Sequence, residues 1–318
     1  MASVLRKVRW YFKGSKEYTK SGYEKACKNF NAADLDVDAT GKSFMITGAN
    51  SGVGKATAQF IAQKGGTVHM VCRSKQRGEE ALNELKAKSS NQEIYLHELD
   101  LSDLPAVAKF AQEFQQSGKT LNVLVNNAGC MINQLEKTAD GIEKNFATNT
   151  LGTYLLTKGL IPVLRQQPKS RVVTVTSGGM LTEKLNHSNP QLDNVAFSGI
   201  AIYAQNKRQQ VVMTEEWAEQ YPDIHFSCTH PGWADTPAVQ MSMPEFYESN
   251  KHRLRSVEEG ADTMVWLCLA DCATSFPSGE FYQDRKIEPK HLYLGGSSSS
   301  KSDQQQFMKK IAELVAKY

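Results

Sequence analysis

The chain has 318 residues, 40% of them hydrophobic and 22% charged, a globular mix that excludes a disordered or collagen-like polypeptide. No run of about 18 apolar residues occurs, so no spanning helix is expected. The net charge of +3 is uneven: residues 1–30 hold eight Lys/Arg against two acids, and the rest sums to −3, which gives the body no basic face for nucleic acid.

The opening, with Arg6, Lys7 and Arg9 followed by Trp10, Tyr11 and Phe12, lacks the apolar core of a secretory signal. Glu17 and Glu24 argue against a mitochondrial transit peptide. A basic, aromatic arm of this kind, 1–39, can dock on anionic lipid, or pack on the fold or a neighbouring subunit. Both readings stay open, as does the oligomeric state. A strand–turn–helix pattern then begins: Ser43 to Thr47 is a short apolar run, Gly48 to Gly54 a glycine-rich turn, and Lys55 to Lys64 a helix stopped by Gly65-Gly66. Strands are expected at Thr67 to Cys72, Ile94 to Leu99 and Leu121 to Val125, with helices at Glu79 to Lys88 and Leu104 to Phe114. A long helical pattern covers Ile142 to Leu164. Strand Arg171 to Thr176, helix Ile202 to Glu219, strand His225 to Thr229, helix Val257 to Leu269 and a short strand at Phe281-Tyr282 complete the series.

Strand then helix, repeated about six times, predicts a doubly wound α/β fold, Rossmann-like, with helices on both faces of a parallel sheet. Without a composition break, 40–290 reads as one domain. Residues 291–318 read as a flexible linker, Gly295 to Ser300, and a terminal helix striped by Met308, Ile311, Ala312 and Val315. The six cysteines contain no C-x-x-C and no histidine pair completes a zinc set, so no metal is expected. They read as reduced thiols in a cytosolic-type compartment, with Cys268 and Cys272 in the core.

Thr47-Gly48-Ala49-Asn50-Ser51-Gly52-Val53-Gly54 links the first strand to the first helix. Glycine there lets the backbone turn and lets a pyrophosphate approach the helix N-terminus. A Walker A loop is excluded, because Ala49 stands where its first glycine is needed and Ala56 where its Ser/Thr is needed.

With Asp100-Leu101, Asn126-Asn127-Ala128-Gly129, Asn149, Ser177, Tyr203-x-x-x-Lys207 and Pro231-Gly232 in the same order, the chain resembles the short-chain dehydrogenase/reductase family over roughly 42–285. Within it, Tyr18 to Glu24 and Tyr203 to Gln210 resemble stretches of the retinol-dehydrogenase-like branch. The resemblance implies an oxidoreductase that interconverts a carbonyl and an alcohol with a nicotinamide cofactor. It assigns the cofactor to Gly48, Asn50, Ser51, Gly52, Val53 and Gly54, to Asp100, Leu101, Asn127 and Gly129, and to Pro231, Gly232 and Thr236. Tyr203 and Lys207 are implied to touch both cofactor and chemistry.

An NAD enzyme needs an acid after the second strand for the ribose 2′-hydroxyl. Here stands Arg73, whose guanidinium suits a 2′-phosphate and argues for NADP(H). Hydride transfer to a carbonyl also needs a proton donor. Tyr203 and Lys207 lie four apart on one helix face. An ammonium about 4 Å from the phenol, at an effective dielectric of about 20, is worth about 4 kcal/mol, enough to bring Tyr203 towards working pH. By resemblance, Ser177 orients the substrate oxygen, with Thr176 as its rival, and Asn149 disturbs its helix and holds a relay water. Asn206, where many relatives have serine, need not touch the chemistry.

The 26-residue interval from Ser177 to Tyr203 is expected to form a flap, Leu181 to Ile200, offering Leu181, Leu185, Phe197 and Ile200 to substrate. Trp233, Val239, Met241, Met243 and Phe246 would form the opposite wall. Such walls favour a lipophilic partner; plain packing is the competing explanation. A silent NADP(H)-binding protein and a membrane-surface module are the alternative functions.

Overall fold

Short strands that are apolar on both sides can bury themselves only in a sheet covered on both faces. The computed structural model describes residues 2–318; Met1, the first residue of the expected arm, lies outside them. Before the sheet come α1 (Ala2–Glu17) and α2 (Lys20–Ala26), which the sequence pattern did not reveal. Alternation then follows: β1 (Ser43–Thr47), α3 (Gly52–Gln63), β2 (Thr67–Cys72), α4 (Lys75–Ser89), β3 (Ile94–Glu98), α5 (Leu104–Gln116) and β4 (Val123–Asn126). The expected long helix resolves into a short turn, α6 (Lys144–Phe146), a π-helical segment Ala147–Gly152, and α7 (Thr153–Leu164). After β5 (Arg171–Val175) come α8 (Gly199–Gln220), β6 (His225–Thr229), α9 (Pro237–Ser242), α10 (Pro244–Asn250), α11 (Val257–Leu269), β7 (Glu280–Gln283), β8 (Lys286–Ile287) and α12 (Lys301–Val315).

The eight strands form one sheet in the order β3-β2-β1-β4-β5-β6-β7-β8. All neighbours are parallel except the β7–β8 hairpin. Chain direction across the sheet reverses between β1 and β4, the switch point where an open α/β sheet leaves a crevice at its carboxyl edge. Alternate residues of each strand feed separate cores. Phe44 and Ile46 of β1 join Ala58, Ile61, Leu85, Met264 and Val265 from α3, α4 and α11. Met45 faces the other way, with Val107, Leu156, Trp217, Phe307 and Ile311 from α5, α7, α8 and α12. The terminal stripe is therefore core, with Phe307 its best-buried addition.

Two sequence expectations change here. Cys268 is buried, but Cys272 is exposed, because the apolar helix ends at Leu269 and Cys272 falls in the following turn. The Gly295 to Ser300 stretch is anchored rather than loose: Arg6 donates to the Gly295 carbonyl at 3.0 Å, and His291 Nδ1 lies 3.0 Å from the hydroxyl of buried Ser297.

The arm packs on the body. Tyr18 is fully buried, and its carbonyl accepts from Trp233 N at 2.7 Å. Arg255, paired with Asp284 at 2.6 Å, also donates to the Glu17 and Thr19 carbonyls, so one buried guanidinium ties arm, loop and sheet edge together.

Candidate active site

Ser51 makes no side-chain cap at the start of α3, so the first N–H groups of that helix stay open to an anion. Gly52 has φ +54, and a Cβ there would sit 3.2 Å from Thr236 Cγ2. The loop carrying Thr236 thus faces the glycine turn at close range. At Gly54 a Cβ would strike Asn127 Nδ2 at 2.3 Å. That amide donates to the Thr47 carbonyl at 2.8 Å, and Thr47 Oγ1 accepts from Asn127 N and Ala128 N at 3.0 and 2.9 Å. Gly48 packs against Asn127 and Ala128, and Asn50 and Val53 flank the turn. One side chain, Thr47, therefore couples the β1 and β4 edges.

Arg73 stands exposed at the end of β2. Asp100 accepts from Ser102 N and Oγ at 2.9 and 2.8 Å, and Leu101 is buried beneath. Buried Gly232, next to half-buried Pro231, packs on the Arg255 guanidinium, while Thr236 caps α9 by accepting from Val239 N at 3.3 Å. These positions line one rim above β2, β3, β1, β4 and β6.

Asn149, Lys207 and Gly129 meet. A Cβ at Gly129 would lie 3.2 Å from Asn149 Oδ1 and 3.3 Å from Lys207 Nζ. Asn149 sits in the π-helical segment, a wider turn common where a helix serves a site. Its side chain clasps Cys130, accepting from its N at 2.9 Å and donating to its carbonyl at 2.8 Å. Of the two candidate hydroxyls, Thr176 is buried and donates to the Lys207 carbonyl at 2.8 Å, which leaves Ser177 as the half-exposed one. Ser177 accepts from Gly179 N at 3.1 Å, and its hydroxyl lies near enough to the Tyr203 phenol to lower that group's pKa.

The electrostatics differ from expectation. Burial pushes Tyr203 up to about 12, and the nearby Ser177 hydroxyl offsets only part of that. Burial pushes Lys207 down to about 8. Lys207 Nζ spends its hydrogens on the Val175 carbonyl at 2.8 Å and Gln210 Oε1 at 3.0 Å, and lies 5.5 Å from the centre of the Tyr203 ring. Burial, and not the ammonium, therefore dominates the pKa of Tyr203 in this arrangement.

Gln210 was not anticipated. Fully buried, it accepts from Lys207 at 3.0 Å and donates Nε2 to the Asn149 carbonyl at 2.8 Å, so it bridges the two residues. Asn206 also supports Asn149, its Oδ1 accepting from Asn149 Nδ2 at 3.3 Å. The signal was the i,i+3 spacing of Lys207 and Gln210 on one helix face, hidden in a polar run that reads as solvated. Gln210→Leu should strand the Asn149 carbonyl and one Lys207 hydrogen, destabilising the fold by about 1–3 kcal/mol in denaturant titration.

The walls are only partly as expected. Leu181 and Leu185 are buried, Leu181 against Val211, Cys228 and Phe281, so they serve the core and not a substrate. Trp233 gives its faces to Trp10, Tyr18 and Phe246, an aromatic cluster that fastens the arm. Ile200 and Met241 remain 62% and 73% exposed. Asn133 brings their segments together, donating to the Ser242 carbonyl at 2.8 Å and packing on Gly199.

A short-chain dehydrogenase model matches residues 42–245. The chain belongs to the short-chain dehydrogenase family. Dehydrogenase/reductase SDR family member 12 of Bos taurus is 55% identical over 315 residues, covering 99% of both chains. Mouse retinol dehydrogenase 11 is 32% identical over 79% of this chain and 80% of its own. Among solved structures, L-sorbose reductase from Gluconobacter frateurii, complexed with NADPH and L-sorbose, matches with a TM-score of 0.63 at 24% identity, over 78% of this chain and 96% of that one. That likeness establishes the fold of this short-chain dehydrogenase, and family membership makes it an oxidoreductase with a nicotinamide cofactor.

Proposed function

We propose that the chain is an NADP(H)-dependent oxidoreductase interconverting a lipophilic carbonyl and its alcohol, with Tyr203 as the proton donor and acceptor. The observation that carries this reading is the meeting of Tyr203, Ser177, Lys207 and Asn149 at the carboxyl edge of β5, beside an uncapped helix N-terminus. The residues fit a dinucleotide: Gly52 leaves room a side chain would fill, and the α3 N–H groups and Arg73 suit phosphate. When bound, the nicotinamide supplies or accepts hydride. Ser177 holds the substrate oxygen against the Tyr203 hydroxyl, which gives a proton as the carbonyl is reduced and takes one back as the alcohol is oxidised. A phenol held near 12 is protonated at neutral pH, the form from which a proton is given in reduction.

The exposed Ile200 and Met241 on one rim support a lipophilic substrate, and the name of the retinol dehydrogenase relative points the same way. NADPH consumption with a panel of long-chain and terpenoid aldehydes tests the reading; no turnover on any, despite NADPH binding, would favour a silent cofactor-binding protein. For the cofactor, Arg73→Glu should weaken NADPH by about 2 kcal/mol through a lost charge-assisted contact and new repulsion, leaving NADH nearly unchanged. Equal dissociation constants of NADPH and NADH for the wild type would defeat the 2′-phosphate role.

A further inference from the structure

One face of α1 is largely exposed, although the Tyr11 ring at its margin lies 6.3 Å from that of Trp233. Val4, Leu5, Val8, Tyr11 and Phe12 recur at helical spacing, so they share one side of the helix. All five are exposed, from 45% at Leu5 to 71% at Phe12. The opposite side is the docked one, with Trp10 on Trp233 and Gly14 buried beneath. Exposed Lys7 flanks the apolar stripe on one edge, and Arg9 and Lys16 flank it on the other. Tyr293 and Leu294, 83% and 72% exposed, adjoin it, because Arg9 donates to the Tyr293 carbonyl and Arg6 to the carbonyl of Gly295.

We propose that this stripe seats the protein on an anionic lipid bilayer, with α1 lying in the plane of the interface. An apolar stripe edged by cations matches acyl chains beneath a layer of negative headgroups. A second copy of the chain fits poorly, since a two-fold pairing of the stripe would bring its own Lys and Arg edges together. Residues 1–30 carry a surplus of six positive charges, and Lys7, Arg9 and Lys16 bring part of it to the edges of the stripe. No described helix is long and apolar enough to cross a membrane, so the contact is peripheral. It also has a consequence for access: α1 packs on the Gly178–Thr182 turn, where Arg6 donates to the Thr182 carbonyl at 2.7 Å, directly after Ser177. Docking therefore holds the segment beside Ser177 close to the lipid surface.

Sedimentation of the full chain with vesicles tests this without cofactor or turnover, so its outcome is independent of the oxidoreductase reading. The wild type should sediment with phosphatidylcholine vesicles containing phosphatidylserine, about tenfold less with phosphatidylcholine alone, and less again at high salt. Val8→Asp with Phe12→Asp should abolish binding without lowering thermal stability, since both side chains face outward. Lys7→Gln with Lys16→Gln should remove the preference for anionic vesicles. Equal binding to both vesicle types, binding to neither, or binding that survives the Asp pair would overturn the proposal. So would self-association that the Asp pair dissolves while no vesicle is bound, which would assign the stripe to a second copy.

Discussion

Tyr203→Phe should leave folding and NADPH binding intact while lowering carbonyl reduction by about 10²–10⁴-fold, the range for a missing proton-transfer group. The substitution removes one oxygen from a half-buried ring whose packing stays in place. Ser177 keeps its Gly179 partner, and Lys207 keeps the Val175 carbonyl and Gln210, so neither is stranded. A loss in kcat at unchanged NADPH affinity would separate chemistry from binding. The pH dependence follows from the raised phenol. Below a pKa of about 12 the acid form predominates, so reduction should not fall through loss of the Tyr203 proton between neutrality and pH 9. Oxidation of the alcohol draws on the phenolate and should climb by about tenfold per pH unit over that range. Wild-type rates in the Phe variant, measured on a carbonyl that the native enzyme reduces, would remove Tyr203 from the mechanism and the proposed role of its neighbours with it.

The sheet was legible because each of its inner strands is an unbroken apolar run between turn signals, and burial on both faces admits little else. The glycine turn was legible because its spacing has a steric meaning that the structure repeats at Gly52 and Gly54. The interior of α8 was not. Gln205, Asn206, Lys207, Arg208, Gln209 and Gln210 are consecutive and all buried, whereas a polar run in a sequence reads as a solvated face. From Asn206 to Gln210 the side chains are held by partners outside the helix, among them Arg208 by the Met180 carbonyl, Gln209 by that of Pro190 and Gln210 by that of Asn149. Long-range pairing of this kind leaves no local period. The same limit applied to the arm, whose docking depends on Trp233 and Arg255 more than two hundred residues away. It also applied to the flap, where Leu181 and Leu185 had an apolar character that fitted core and substrate equally.

Gly52→Val should weaken NADPH by about 100-fold or more, and two effects contribute. The first is conformational: at φ +54 a β-branched residue is strained by about 1–3 kcal/mol. The second is steric: the new side chain would project towards Thr236 across the space proposed for the pyrophosphate, with its Cβ already 3.2 Å from Thr236 Cγ2. Gly41 separates them. It has φ +77 with nothing within 4 Å of a built Cβ, so Gly41→Val carries the backbone strain in open space. Both variants should melt at lower temperature than the wild type. Only Gly52→Val should also lose the rise in melting temperature that NADPH confers, since ligand stabilisation follows affinity for the folded state. Should Gly52→Val be stabilised by NADPH as fully as Gly41→Val, the glycine turn would be a connection between β1 and α3 and nothing more, and the cofactor would have to lie elsewhere along the rim.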